Sequence, residues 1–175
     1  MIDHPPVTID GFTYTFEHLA PITLDVDSQK AGKVLAVRVS FANHCYTTGH
    51  EPTSHPEGWP ILRDGGGRAR TFCPARYALS QQMLPMLIQQ LNHPKAQVRQ
   101  TKEARNWVHS TVLDLTAGSY AVFFQVRRAA GRSHDLDVVV ESAYARTRAS
   151  VTLGSIGFVL LCGKVYRNEP VATRR

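Results

Sequence analysis

Three runs of alternating apolar and polar residues lie between residues 107 and 144, and they constrain the fold more than any other part of the chain. The runs cover residues 107–115, 120–128 and 136–144, and the second is rich in aromatic and β-branched residues. Short segments with a glycine each, residues 117–119 and 129–133, separate them. Period-2 alternation broken by glycine-bearing turns predicts three strands of an antiparallel meander.

The chain on either side of these runs predicts one helix and a fourth strand. Residues 75–91, after Pro74, place apolar residues on one helical stripe, and Pro85 inside it predicts a kink or a break. Residues 96–105 are polar and predict an outer helical turn or an irregular link. Residues 156–166 predict the fourth strand of the meander, where Gly157 and Gly163 would allow a bulge or close packing.

The N-terminal part predicts further strands and a long loop. Residues 12–17, 22–26 and 34–41 predict strands of a β-hairpin extension or small sheet. Residues 43–71 are rich in His, Gly and Pro and predict a loop, within which residues 61–72 can close as a hairpin about Asp64, Gly65, Gly66 and Gly67. The expected fold is α+β, a twisted antiparallel four-stranded meander packed by one main helix.

Length and composition predict one globular domain. A chain of 175 residues, 43% apolar and 19% charged, can bury a core. We expect residues 1–72 to form the β extension and loop, residues 73–168 the core, and residues 169–175 a frayed tail. No signal peptide and no membrane-spanning window of about 18 apolar residues is apparent. Three cysteines cannot all pair, which favours a reducing, cytoplasmic location.

The positive charge is unevenly distributed along the chain. Residues 1–62 carry a net charge of −4, whereas residues 63–126 and 127–175 each carry +5. A basic body favours an anionic partner, nucleic acid first. The alternative is that a pI of about 9.5 only keeps the protein soluble.

Histidines and cysteines in and beside the loop could hold a metal ion. The candidate ligands are Cys45, His50, His55 and Cys73, with His44 as a further donor. Thiolates and imidazoles are the ligands that zinc selects, so a closed structural zinc site is one hypothesis. The spacing matches no known zinc pattern, and packed thiols with solvated histidines are the alternative. Cys73, just before a helix, could also be a reactive thiol. Apart from this zinc, the sequence predicts no cofactor.

A second set of polar residues could cleave or bind RNA. Its members are His109, Arg127, Arg128, Ser142, Tyr144, Arg146 and Lys164, with Glu141 nearby. A histidine can act as acid or base near neutral pH, arginines can clamp a phosphate, and a tyrosine can stack on a base. Strand parity predicts that Arg128, Ser142, Tyr144 and Lys164 extend one face at the rim of the sheet. Taken singly, residues of these types more often have a structural or solvated role than a catalytic one.

The order of elements from residue 77 to residue 166 resembles the barnase–EndoU–colicin–RelE group of small ribonucleases. The stretches that carry the resemblance are YALSQQMLPMLIQQL, NWVHSTVLDL, SYAVFFQVRR, DLDVVVESAYAR and GFVLLCGKVY. HCYTTGH and FCPARYALS also resemble small bacterial proteins associated with stress or stationary-phase adaptation. The ribonuclease resemblance implies metal-independent RNA cleavage of toxin type and a neutralising protein partner.

Three functions are therefore expected from the sequence. The first is a metal-independent, toxin-type ribonuclease that acts on RNA through the polar set above. The second is a non-catalytic RNA-binding or protein-interaction module that uses the same basic face. The third is a zinc-stabilised accessory protein. The sequence gives no sign of a membrane partner or of DNA specificity.

Overall fold

The computed structural model describes residues 4–102, 106–114, 118–147 and 151–173. Its strands, in chain order, are β1 (Val7–Ile9), β2 (Phe12–Tyr14), β3 (Ile22–Ser28), β4 (Lys33–Phe41), β5 (Thr47–Gly49), β6 (Leu62–Arg63), β7 (Ala69–Phe72), β8 (Gln97–Thr101), β9 (Trp107–Asp114), β10 (Gly118–Arg128), β11 (Leu136–Arg146) and β12 (Thr152–Gly157). The helices are α1 (Pro74–Leu91) and α2 (Phe158–Tyr166). Part of the predicted turn at residues 117–119 and the last two residues of the predicted tail lie outside the described ranges.

A mixed sheet organises the described chain, in the strand order β12-β8-β9-β10-β11-β4-β3. The three predicted runs are present as β9, β10 and β11, each antiparallel to the next. Strand β4 pairs with β11 in parallel, and β3 pairs antiparallel with β4 at the edge. The predicted N-terminal strands thus include two that join the central sheet rather than forming an extension. The fold class is α+β, as expected.

The predicted fourth strand is wrong. Residues 158–166 form α2, whereas β8, in the segment predicted as a turn or link, pairs with β9. A short continuous apolar run has no period that separates a buried strand from a buried helix. In the fold, Phe158, Leu161 and Cys162 are buried together at helical spacing. Gly163, as expected, permits close packing, here of α2 against β3.

Helix α1 forms where the sequence predicts it, with Pro74 in its first turn, and it continues through Pro85. Leu84, Leu87, Ile88 and Leu91 are fully buried. They and the buried side of α2 pack on one face of the sheet in a single hydrophobic core. No helix within the described ranges is long and apolar enough to cross a membrane.

The His/Gly/Pro-rich region contains regular structure. Strands β5, β7 and β6 form a small antiparallel sheet in that order. The hairpin between β6 and β7 turns at Asp64, as predicted, and the Asp64 carboxylate accepts hydrogen bonds from the backbone N–H groups of Gly66 (2.9 Å) and Arg68 (3.0 Å). This Asx-type turn explains why the chain reverses here.

A β-bulge at Glu141 changes the face to which the end of β11 points. Phe124 pairs with Val140 and Phe123 pairs with Ser142, so that Glu141 is the extra residue. Without it, Val140 and Ser142 would share a face. The bulge therefore turns Ser142 and Tyr144 away from the core that Val140 occupies, against the predicted strand parity.

Candidate functional site: an arginine–tyrosine cluster

The central sheet has a second face, here called the outer face, on the side away from the helices. Val108, Ala121 and Phe123 form a small buried cluster on it, separate from the main core, and Tyr144 packs against them. Their neighbours along β9 and β10 alternate into the main core, which contains Tyr120 and Val122. Val108, Ala121 and Phe123 are buried although they point away from the main core, so other side chains cover this part of the outer face.

Two arginines cover it by stacking on aromatic rings. The Phe123 and Tyr144 rings are stacked, with centroids 5.5 Å apart and an interplanar angle of 22°. The Arg76 guanidinium carbon lies 4.5 Å from the centroid of the Tyr144 ring. That of Arg146 lies 5.5 Å from the Phe123 ring and 5.9 Å from the Tyr144 ring. Arg76, Phe123, Tyr144 and Arg146 are called the Arg–Tyr cluster below. Such contacts hold guanidinium groups in place while leaving them charged.

Arg76 reaches this position because β4 leaves the sheet early. The parallel pairing of β4 with β11 ends at Phe41 and Val140, and the short 3₁₀ turn Asn43–Cys45 and the start of α1 pack beside the rest of β11. Arg76, in the first turn of α1, donates a hydrogen bond to the Thr47 carbonyl oxygen at 2.8 Å and another to that of His44 at 3.3 Å. Its backbone and side chain are therefore both fixed.

A third arginine, Arg70, shares one of the hydrogen-bond acceptors of Arg76. Arg70 donates to the Thr47 hydroxyl at 3.1 Å and to the Thr47 carbonyl oxygen at 3.2 Å, so that two guanidinium groups converge on one carbonyl. Burial, and then the charge of Arg76, lower the pKa of Arg70. No carboxylate of the described residues forms an ion pair with Arg70 or Arg76. This pair of cations has the electrostatic character of an anion site.

Three of the residues predicted for the site lie in this region. Tyr144 and Arg146 belong to the cluster, and Ser142, half-buried, stands opposite Phe123 in the register of β10 and β11. Together they share the outer face of the sheet. The three β11 residues therefore share a face, although it is the opposite of the one that strand parity predicts, and Arg128 and Lys164, which were predicted to share it, do not lie there.

The other predicted residues lie elsewhere. His109 pairs with Val122, a residue of the main core, and so points to the helix side of the sheet, where its Nδ1 is 3.0 Å from the Gln97 carbonyl oxygen. Arg127 and Arg128 are exposed at the far end of β10, eight or more residues and thus roughly 27 Å from the Ser119–Arg146 pair.

Lys164 lies on α2 rather than on a strand, and it donates to the Pro170 carbonyl oxygen at 3.1 Å. The guanidinium of Arg128 lies 5.8 Å from the Tyr166 ring, on the helix side. The set of seven predicted residues thus does not form one site.

The candidate metal ligands are engaged in other interactions. Cys45 is fully buried, and burial raises the pKa of its thiol to about 12, which opposes thiolate formation. His50 and His55 both lie within hydrogen-bond distance of the Thr71 hydroxyl, and His55 also of the Trp59 carbonyl oxygen. Among the described residues, no three His, Cys, Asp or Glu side chains are grouped as metal ligands. The structural zinc, and a reactive Cys73, stay predictions.

The sequence did not indicate that Arg70, Arg76 and Phe123 belong to this region. The run Tyr120 to Phe124 carried a usable signal, because it is apolar at every position, and a strand that is apolar on both faces needs cover on both. The two arginines come from the hairpin and the helix start, whose positions relative to β11 depend on tertiary structure.

The fold places the chain in the α+β class, with a mixed sheet whose outer face carries the Arg–Tyr cluster. The chain belongs to the YjaZ family, whose family model matches residues 6–166. No curated protein and no solved structure matches the chain. The family description carries no activity, and none of the comparisons bears on the resemblance to the small ribonucleases.

Proposed function

We propose that the protein binds single-stranded RNA at the Arg–Tyr cluster without cleaving it. The observation that carries the proposal is the stacking of two arginines on Tyr144 and Phe123, next to a third arginine with no carboxylate partner among the described residues. Single-stranded nucleic acid is bound by such combinations of cationic groups and planar surfaces. The overall charge of +6 adds long-range attraction for a polyanion.

The phosphate contact is assigned to Arg70 and Arg76. Both guanidinium groups converge on Thr47, and guanidinium N–H groups match phosphate oxygens in a bidentate geometry. The nearest carboxylate in the hairpin, that of Asp64, is already taken by His44 at 3.0 Å and Arg68 at 2.8 Å. A phosphate would therefore not have to displace an ion pair, which lowers the free energy cost of binding.

The stacking surface is assigned to the planar groups beside that phosphate. Bases stack on aromatic rings or on arginine planes. Phe123 is buried and the Tyr144 ring contacts both Phe123 and Arg76, so the surface assigned to a base is the guanidinium planes of Arg76 and Arg146. Tyr144 already has Phe123 on one side and Arg76 within 4.5 Å, so its ring is fixed before any ligand arrives. Pre-ordered side chains lose less conformational entropy on binding.

Cleavage by the predicted mechanism finds no support in this geometry. It needs His109 within hydrogen-bond reach of a phosphate held by arginine. His109 is on the helix side of the sheet, whereas Tyr144, Arg146 and Ser142 are on the outer face. The toxin-type ribonuclease, with its neutralising partner, stays a prediction, and the non-catalytic alternative is the one that the site favours.

The proposal can be tested with a labelled single-stranded RNA of about 12 nucleotides. Fluorescence anisotropy at several salt concentrations measures its binding. We expect binding that weakens between roughly 50 and 200 mM salt. Arg76→Gln should weaken binding and reduce the salt slope by about 1. The RNA should remain intact in EDTA, as judged on a denaturing gel.

The matched control is Arg128→Gln, which removes the same charge from an arginine that also lies over a ring, that of Tyr166. We expect it to leave affinity within about twofold, because Arg128 is distant from the cluster. Equal losses in the two variants would show that net charge alone attracts the RNA, and the proposed site would be wrong. His109→Ala should leave binding unchanged.

A further inference from the structure

A second polar group lies at the other end of the outer face, in the turn between β10 and β11. The Ser133 Oγ is 2.9 Å from the Nδ1 atom of His134, and the His134 Nε2 is 2.8 Å from the Oδ1 atom of Asp137. Ser133 is exposed, whereas the His134 side chain is only 14% exposed. A hydroxyl, an imidazole and a carboxylate are thus joined in one hydrogen-bonded chain.

The chemistry of the three groups determines the direction of both hydrogen bonds. An ionised carboxylate can only accept, so the His134 Nε2 carries the proton that bonds to Asp137. In the neutral ring the Nδ1 atom is then an acceptor, and the Ser133 hydroxyl is its donor. The base therefore points its lone pair at the serine proton, as nucleophilic catalysis requires.

Arginines neighbour this chain of hydrogen bonds in the sheet register and in the sequence. In the sheet register Asp137 pairs with Arg127 on one side and with Arg38 on the other. Arg132 precedes Ser133 directly. Arg127, a predicted catalytic residue, thus neighbours Asp137 and its hydrogen-bonded partners. It does not lie beside the residues with which it was predicted to act. The positive charge of Arg127 attracts anions to the turn.

We propose that Ser133 is a nucleophile that accepts an acyl group from activated esters, preferentially from esters whose acyl part carries a negative charge. Ser133 Oγ forms a bond to the ester carbonyl carbon while its proton moves to the His134 Nδ1. The bond from that carbon to the leaving oxygen then breaks, and His134 returns the proton to the departing alcohol. Water releases the acyl group by the same proton transfers. Asp137 positions the imidazole and does not touch the substrate.

The inference is independent of RNA binding, because Ser133 lies at the opposite end of β10 from the Arg–Tyr cluster. The proposal also predicts which esters react fastest. Arg127 and Arg132 would hold the anionic end of the acyl group, so an adipate half-ester, whose carboxylate is too far away to attack its own carbonyl efficiently, should react faster than an acetyl ester of the same leaving group. A surface without these cations would give the charged ester no such advantage.

The full-length protein should be treated with p-nitrophenyl acetate, with mono-p-nitrophenyl adipate and with a fluorophosphonate probe. Nitrophenolate release above that of the ester alone and peptide mapping by mass spectrometry report the rate and the modified residue. We expect an adduct on Ser133, formed faster from the adipate, and none on that peptide in Ser133→Ala. His134→Gln should slow adduct formation by at least about 100-fold, and Asp137→Asn by a smaller factor.

The chain offers a matched control in Ser54 and His55, a second exposed serine directly followed by a histidine. There the His55 Nδ1 lies 3.0 Å from the Thr71 hydroxyl instead of the serine. Ser54→Ala should therefore change nothing. Absence of a Ser133 adduct, or an adduct that forms equally fast in His134→Gln, would overturn the proposal. Retained RNA binding in Ser133→Ala would separate this outcome from a failure of the proposed function.

Discussion

Gly163 lies where helix α2 packs tightly against the end of strand β3 and the residues that follow it. A Cβ atom at this position would lie 2.5 Å from the Ser28 Oγ and 2.7 Å from the Lys30 Cβ. Ser28 is fully buried, and its hydroxyl accepts a hydrogen bond from the Ala31 N–H at 3.2 Å. The neighbour therefore has little freedom to move, and the absence of a side chain at residue 163 sets the distance between helix and sheet.

Gly163→Ala should accordingly destabilise the fold by about 1–3 kcal/mol. Alanine in place of glycine ordinarily stabilises a helix by about 1 kcal/mol. A loss of stability here would therefore come from the close packing of α2. The free energy of unfolding from urea titration is the measurement. Gly131→Ala is the control, since a Cβ atom there would meet nothing within 4 Å, and it should change stability by less than about 0.5 kcal/mol. A stabilised Gly163→Ala protein would show that α2 is less tightly packed than described.

Single residues also explain why the site could be predicted only in part. Alternation along β11 correctly indicates a strand and brings Ser142, Tyr144 and Arg146 to one face. The extra residue at Glu141 then reverses which face that is. Bulges have no reliable sequence signature, and one inserted residue changes the face of every side chain beyond it.

The β6–β7 hairpin is held by one carboxylate. Burial alone would raise the pKa of Asp64, but hydrogen bonds from the His44 ring, the Arg68 and Gly66 backbone and the Arg68 guanidinium outweigh it and lower the pKa far below its ordinary value of 3.8. Burial is also the main cause of the lowered pKa of His44. The hairpin carries Arg70, so this carboxylate indirectly positions part of the proposed RNA site.

Because the pKa of Asp64 is lowered on folding, its contribution to stability is complete above the unfolded value and declines as the pH falls below it. Asp64→Asn should therefore reduce the free energy of unfolding by a constant amount at pH 5 to 7, and the deficit should shrink as the pH falls from about 4 to 2. Urea titrations of both proteins at several pH values measure it. The exposed Asp27→Asn is the control and should have little effect. A deficit that is unchanged at pH 2 would contradict this role of Asp64.

For helices and strands, strong local sequence patterns were sufficient to predict the type of element, whereas short apolar runs were not. Helix α1 has a proline start and a helical stripe, and β9 to β11 have alternation with turns, so their types could be predicted. Residues 158–166 are apolar at nearly every position, and only packing against β3 and β10 makes them a helix. The polar strand β8 is defined by its partners, β9 and β12, and not by its own composition.

For the whole molecule, the mixed sheet separates the main core from the two proposed sites. The helix side holds the main core, and the outer face carries the Arg–Tyr cluster at one end and the Ser133 group at the other. The parallel pairing of β4 with β11 creates this arrangement, because β4 ends early and leaves room for α1 to bring Arg76 to Tyr144. Such long-range pairing has no local sequence signal. The sequence therefore predicted a single basic rim on one face of the sheet instead of these two separate groups.

The proposed function depends on where on the protein RNA binds. Photo-crosslinking of a 4-thiouridine-labelled single-stranded RNA, followed by peptide mapping, measures it directly. We predict crosslinks to peptides that contain Tyr144, Phe123 or Arg76, and their loss in Arg76→Gln. Crosslinks confined to the peptides of Arg128 and Lys164, or none above the unirradiated sample, would contradict the account.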